Sequence, residues 1–277
     1  MENNYLKKRF VSIMLFFLLF NCASKNENLV KPREKKELSF IYNSAYAAFE
    51  KGNYNQAVDL FKIIQSDYSF SEWSPKSMLM TAYIYYEVSE YEKSLEELNR
   101  FRKLYPFSKY KDYTDYLIAM IFFEQIDDIS KDQSYANSAL TYFNNILKIG
   151  SSSAYYEDSR FKVDLIYEQF AGKEMYLARY YINKKKWIPA IQKLNIIVKK
   201  YQKTIYIEEA LHRLVEIHYH LGNIKNAEKY TAILGYNYNS SEWYKKSYSI
   251  IQKEKYVKAS KKPKKGFKDK IKLLLLK

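Results

Sequence analysis

One cysteine, six glycines and five prolines in 277 residues exclude several whole classes of architecture. Tight turns between strands draw on glycine and proline, so a shortage of both argues against a turn-rich β fold. A lone thiol cannot close an internal disulfide or complete a four-thiolate zinc site, and three histidines offer little for metal or nucleophile chemistry. No apolar run reaches the roughly 20 residues that span hydrocarbon as a helix. No glycine-rich phosphate cradle is present, and the acidic stretch Asp127 to Asp132 lacks the glycine and terminal glutamate of a calcium loop. What the chain does have is 47% hydrophobic residues, 18% aromatic residues and 30 tyrosines, ample material for a core. These proportions describe a folded binding protein, not an enzyme, with no cofactor of its own.

The net charge of +15 is unevenly spread. Residues 1–21 carry +2 and residues 258–277 carry +8, which leaves +5 for the long body between them. A body so weakly basic has no nucleic-acid-binding face, and no recognition motif with its defining spacing occurs.

The amino terminus runs from Lys7-Lys8-Arg9 into Phe10 to Phe20, where only Ser12 is polar. This is the order of a signal peptide, and it implies export. Cys22 follows directly in Leu19-Phe20-Asn21-Cys22, which resembles a bacterial lipoprotein box. That resemblance implies a signal peptide over residues 1–21, a covalent lipid on Cys22, and a flexible tether over residues 22–37. Ala23 after the cysteine, where an Asp tends to retain such products in the inner membrane, favours the periplasmic face of the outer membrane.

From Leu38 to about Ile251 the helical period dominates. Small residues at Ala57, Ser94, Ala139, Ala190 and Ala227 recur in similar contexts, for example Gly52-Asn-Tyr-Asn-Gln-Ala57 and Gly222-Asn-Ile-Lys-Asn-Ala227. Their spacings of 37, 45, 51 and 37 are those of 34-residue tetratricopeptide units with insertions. Ala45, Ala82, Ala119, Ala178 and Val215 fall where the first helix of each pair crosses its partner closely. The expected fold is all-α, a right-handed superhelical solenoid of five tetratricopeptide helix pairs over residues 38–254, followed by a basic, disordered tail over 255–277. The longest interval fits an additional helix near Tyr156 to Phe170. The lysine-rich tail reads either as solvated or as adhering to an anionic lipid surface.

Five such repeats behind a lipoprotein signal resemble the BamD family of outer-membrane lipoproteins. The matching motifs are Gly52-Asn-Tyr-Asn-Gln-Ala57, Arg100-Phe-Arg-Lys-Leu-Tyr-Pro106, Ala178-Arg-Tyr-Tyr181 with Trp187, and Asn226-Ala-Glu-Lys229, between about Leu38 and Leu234. The resemblance implies a lipid-anchored scaffold of the machinery that assembles outer-membrane β-barrels. It implies the barrel-forming subunit, unfolded outer-membrane proteins and outer-membrane lipid as partners. Lys193, where the family tends to carry arginine, is the expected contact with the barrel-forming subunit. The rival reading is a general tetratricopeptide lipoprotein serving a cell-wall or division complex.

Residues at i, i+3 or i+4, and i+7 of each first helix share one stripe. That stripe reads Tyr42, Tyr46, Phe49; then Leu79, Tyr83, Tyr86; then Tyr113, Tyr116, Met120, Phe123. Tyrosine joins a broad apolar face to a polar tip, which suits an extended peptide with aromatic side chains. By the resemblance that peptide is the carboxy-terminal strand of an unfolded barrel protein, although a stripe of this kind also fits core packing. The later units read Met175, Arg179, Ile182, and His212, Glu216, Tyr219. His212, Glu216 and His220 share a helical face, which is compatible with a metal site or with a solvated polar stripe.

Overall fold

The computed structural model describes residues 32–128 and 131–261. Cys22, the signal segment, most of the expected tether and residues 262–277 lie outside the described residues. Eleven α-helices and no strands occur among the described residues. In order they are α1 (Pro32–Glu50), α2 (Tyr54–Asp67), α3 (Trp73–Glu87), α4 (Tyr91–Leu104), α5 (Lys111–Glu124), α6 (Ser134–Ile149), α7 (Tyr156–Asn183), α8 (Trp187–Lys200), α9 (Ile207–His220), α10 (Ile224–Asn237) and α11 (Glu242–Lys261). Two compact units divide the chain after Pro106. The first holds α1 to α4 as two helix pairs, and the second holds α5 to α10 as three pairs with α11 packed on the last.

Every small residue singled out in the sequence is fully buried, at 0% exposure: Ala45, Ala57, Ala82, Ser94, Ala119, Ala139, Ala178, Ala190, Val215 and Ala227. In the second pair the crossing is close enough for the Ser94 hydroxyl to donate to the Ala82 carbonyl at 2.7 Å. Around these contacts the larger side chains close the core, with Phe61, Ile64 and Ile84 in the first unit. In the second unit Phe143 and Ile146 join Ile166, while Leu194 and Ile197 join Leu214 and Ile217.

The turns within the pairs also repeat. Gly52, Ser89, Lys185 and Gly222 each stand five residues before the small residue and adopt left-handed backbone, with φ of 76°, 60°, 54° and 73°. The following amide closes the helix, as when Asn53 donates to the Ala48 carbonyl and Lys186 to that of Tyr181.

A second periodic signal is an aromatic residue at the head of each later first helix. Trp73, Tyr110, Tyr155, Tyr206 and Trp243 each lie sixteen residues after the corresponding small residue, so they repeat its spacings. Within each unit these rings pack on the preceding first helix. Trp73 meets Tyr42 at 4.5 Å between centroids, Tyr155 stacks on Tyr116 at 4.6 Å, and Trp243 lies 5.1 Å from His212. Tyr206 closes on Gly172, where a β-carbon would sit 3.1 Å from its hydroxyl.

Three sequence expectations are corrected by these elements. The separate helix near Tyr156 to Phe170 is the first half of α7, which runs unbroken for 28 residues. Tyr155 precedes Ala178 by fourteen residues more than Trp73 precedes Ala82, which is close to four turns at 3.6 residues each. The insertion therefore keeps one face inward: Val163, Ile166 and Phe170 serve one core cluster and Met175 and Ala178 the next. Helix α1 starts at Pro32, inside the expected tether, because a first-turn proline gives up an amide that has no intrahelical partner. At the other end α11 continues to Lys261, past the boundary expected at 254.

Candidate peptide-binding face

In the first unit the helix pairing leaves one face of α1 and α3 lined with rings. Phe49 reaches Tyr46 at 6.1 Å, Tyr54 at 6.0 Å and Tyr83 at 5.9 Å. Tyr83 continues to Tyr86 at 6.3 Å, and Tyr86 to Tyr91 at 6.1 Å. These centroid separations are those of favourable tilted and edge-on aromatic pairs, so the six rings form a continuous ladder across the two helix pairs. Tyr46 is 43% exposed and Tyr54 36%, and the other four are half-buried. The hydroxyl of Tyr83 is bound to the Glu87 carboxylate, and this, with burial, pushes its pKa up to about 12.

Four of the sequence-predicted stripe residues, Tyr46, Phe49, Tyr83 and Tyr86, belong to this ladder. Tyr42 does not: it is half-buried against Phe61 and Trp73. Leu79 is buried. In the second unit Tyr113 and Tyr116 lie against Tyr155, and the Tyr116 hydroxyl donates to Asp158 at 2.8 Å. Met120 and Phe123 pack on the cluster around Phe143. Within each unit the cause is the aromatic that heads the following helix: Trp73 covers Tyr42, and Tyr155 covers Tyr116. The sequence held this signal in the spacing of Trp73, Tyr110, Tyr155, Tyr206 and Trp243, and the helical stripe alone could not reveal it. Tyr54 and Tyr91 were equally absent from the expected set, since they stand on second helices.

The later stripe is a polar network, and two of its members are interior instead of solvated. Met175 is fully buried in the core. His212 is also buried, with Nδ1 2.8 Å from the Ser247 hydroxyl and Nε2 3.3 Å from Glu216. Arg179 forms a bidentate pair with Glu209, and Arg213 bonds both Glu209 and Glu216. Three helices of the second unit, α7, α9 and α11, are thereby joined. With both ring nitrogens of His212 engaged, and His220 packed on Trp187 at 4.9 Å, the expected face is occupied by protein contacts. No group of three or more potential metal ligands occurs among the described residues.

Burial alone would raise the Glu216 carboxyl, but hydrogen bonds from His212 and Arg213, together with their charges, outweigh it and hold the pKa at about 2. A carboxyl lowered on folding contributes stability that is complete above its ordinary value near 4.5 and disappears as pH falls toward 2. Thermal melts of Glu216→Gln are expected to show a lower melting temperature at pH 7 and a shallower decline between pH 4.5 and pH 2 than the parent.

Lys193 sits on α8 with its ammonium 3.0 Å from Glu174 of α7, three-quarters buried by the joint between those helices. It is thus part of the packing of the second unit. No helix among the described residues is long and apolar enough to cross a membrane.

Residues 34–233 match the YfiO family, described as an outer membrane lipoprotein. The outer membrane protein assembly factor BamD of Caulobacter vibrioides is 33% identical over 230 residues, covering 83% of this chain and 75% of the relative. That of Rickettsia prowazekii is 32% identical over 242 residues, covering 87% and 94% respectively. BamD of Neisseria meningitidis serogroup A is 27% identical, covering 85% and 93%. A family match across most of the chain, agreement with relatives along three-quarters or more of their length, and helix pairs that repeat with the tetratricopeptide spacing lead to one conclusion: the chain belongs to the BamD (YfiO) family.

Proposed function

We propose that this chain is a lipid-anchored periplasmic scaffold of the outer-membrane β-barrel assembly machinery, that it binds the barrel-forming subunit, and that the aromatic face of its first unit holds unfolded outer-membrane protein substrates. The observation that carries the substrate part is the ladder from Tyr46 to Tyr91. Six rings, five of them tyrosines with polar tips, on the two helix pairs of this unit are suited to an extended strand whose alternate side chains are apolar or aromatic. Catalysis has no part in this reading. Cys22 is the proposed attachment point of the lipid, and each buried methylene of an acyl chain adds about 0.8 kcal/mol to membrane binding.

The second unit is the proposed docking region for the barrel-forming subunit. Because Lys193 is paired with Glu174, a partner that uses its charge has to supply a carboxylate able to compete with that pair. Affinity purification of the tagged protein from membranes is the test. Recovery of the barrel-forming subunit supports the proposal, and recovery of cell-wall or division enzymes alone overturns it in favour of a general tetratricopeptide lipoprotein. The Cys22→Ser variant is expected to shift toward the soluble periplasmic fraction, with the remainder held at the membrane only through the barrel-forming subunit.

A further inference from the structure

The charge around the ladder goes further than its aromatic character. Glu50 directly follows Phe49 and ends α1; Glu87 directly follows Tyr86 and ends α3. Glu50 also stands one turn past Tyr46 and Glu87 one turn past Tyr83, and Phe49 touches Tyr83 across the two helices, so both carboxylates fall at the carboxy-terminal edge of the ladder. Both are exposed, neither has an ion pair among the described residues, and no basic residue stands in the last turn of either helix. Lys51 lies past the end of α1 in the turn, Glu90 is tied to Lys93 at 3.3 Å, and Lys76 sits at the opposite end of α3 over the Trp73 ring at 4.6 Å. The Tyr83 hydroxyl, which could have donated to an incoming anion, already donates to Glu87. A phenol has a single hydrogen to give. With that hydrogen spent, Glu50 and Glu87 set two carboxylates at this edge of the face against the single ammonium of Lys51.

Resting on the reading that the ladder holds a peptide, we propose that Glu50 and Glu87 make it selective for extended segments in which aromatic side chains are accompanied by lysine or arginine, and that a free terminal carboxylate is kept off it. A cation beside an aromatic residue meets the two carboxylates and the electron-rich ring faces together. A terminal carboxylate meets only like charge.

The test is a fluorescence anisotropy titration of the full mature chain with synthetic peptides that share one alternating aromatic pattern. One carries a lysine and a free acid end, one the same lysine with an amidated end, and one a glutamate in place of the lysine, also amidated. A fourth carries glutamine and is neutral. Exposed charge pairs contribute modestly, so amidation is expected to tighten binding about threefold and the lysine-to-glutamate change to weaken it about tenfold. Both differences should shrink below about twofold in 1 M salt, where the screening length is roughly 3 Å, and in the double variant Glu50→Gln, Glu87→Gln. The neutral peptide should bind that variant as it binds the parent. Equal affinity for all four peptides, or tighter binding of the free acid, overturns the charge preference while leaving the peptide face standing. Failure of every peptide to bind overturns the peptide reading itself and the preference with it.

Discussion

Ala82→Phe is expected to unfold the first unit, with loss of helicity and rapid proteolysis of the α3–α4 pair. Ala82 is fully buried where α3 crosses α4, and its carbonyl accepts the Ser94 hydroxyl at 2.7 Å. A benzyl group there forces the helices apart and removes that hydrogen bond. Overpacking costs about 1–3 kcal/mol, and the lost bond leaves a buried hydroxyl unsatisfied for about 1–3 kcal/mol more. Total stabilities of 5–15 kcal/mol are typical of domains, and a unit of two helix pairs has a small core. Circular dichroism melts and limited proteolysis provide the check, with Asn43→Phe as the control. Asn43 is exposed on α1, and surface changes of this kind stay within about 0.5 kcal/mol.

The paired truncation Tyr46→Ala, Tyr83→Ala is expected to lower affinity for an aromatic strand peptide at least tenfold while the melting temperature holds. Each ring contact contributes roughly 0.5–1.5 kcal/mol beyond area burial, and a tenfold change corresponds to about 1.4 kcal/mol. Fold survival follows from their placement: Tyr46 is 43% exposed, and Tyr83 is half-buried with its contacts on the ladder. Tyr42→Ala should behave in the opposite way. Its ring lies between Phe61 and Trp73, so its loss opens a cavity where α3 packs on α1 and lowers the melting temperature. The two phenotypes separate ladder residues from packing residues on the same helix.

Much of the fold was legible in the sequence because its strongest constraints are steric and local. Close helix crossings admit only small side chains, so Ala57, Ser94, Ala139, Ala190 and Ala227 mark the repeats without any knowledge of their surroundings. The unbroken α7 was harder to read, since an insertion of nearly four turns leaves the apolar face in phase and has the same periodicity as two separate helices. The start of α1 was hidden by charge: Pro32 to Glu37 has no apolar stripe to distinguish it from a tether.

The candidate site was legible only in part, for a different reason. A helical stripe identifies residues on one face but does not say whether the next repeat covers them. Tyr42, Tyr116 and His212 hold equivalent positions, and each meets the ring that heads the next first helix. Tyr46 and Phe49 lie one and two turns further along α1 than Tyr42, Tyr83 and Tyr86 hold the matching positions on α3, and the four meet one another in the ladder. The glutamates that border them drew no notice in the sequence because a lone carboxylate at a helix end is commonplace. Only the ring contact between Phe49 and Tyr83 puts Glu50 and Glu87 at one end of the same face.

The central claim is that barrel-protein substrates rest on the aromatic face of the first unit. Its most direct test is site-specific photocrosslinking in growing cells, with a benzophenone side chain at position 46 or 83 and, as the comparison, at Lys62 on α2, whose ammonium bonds Tyr85 away from the ladder. Adducts with unfolded outer-membrane proteins from positions 46 and 83, and not from 62, are the result this account predicts. Adducts from position 62 alone, or none from 46 and 83 while barrel proteins are being assembled, would contradict it.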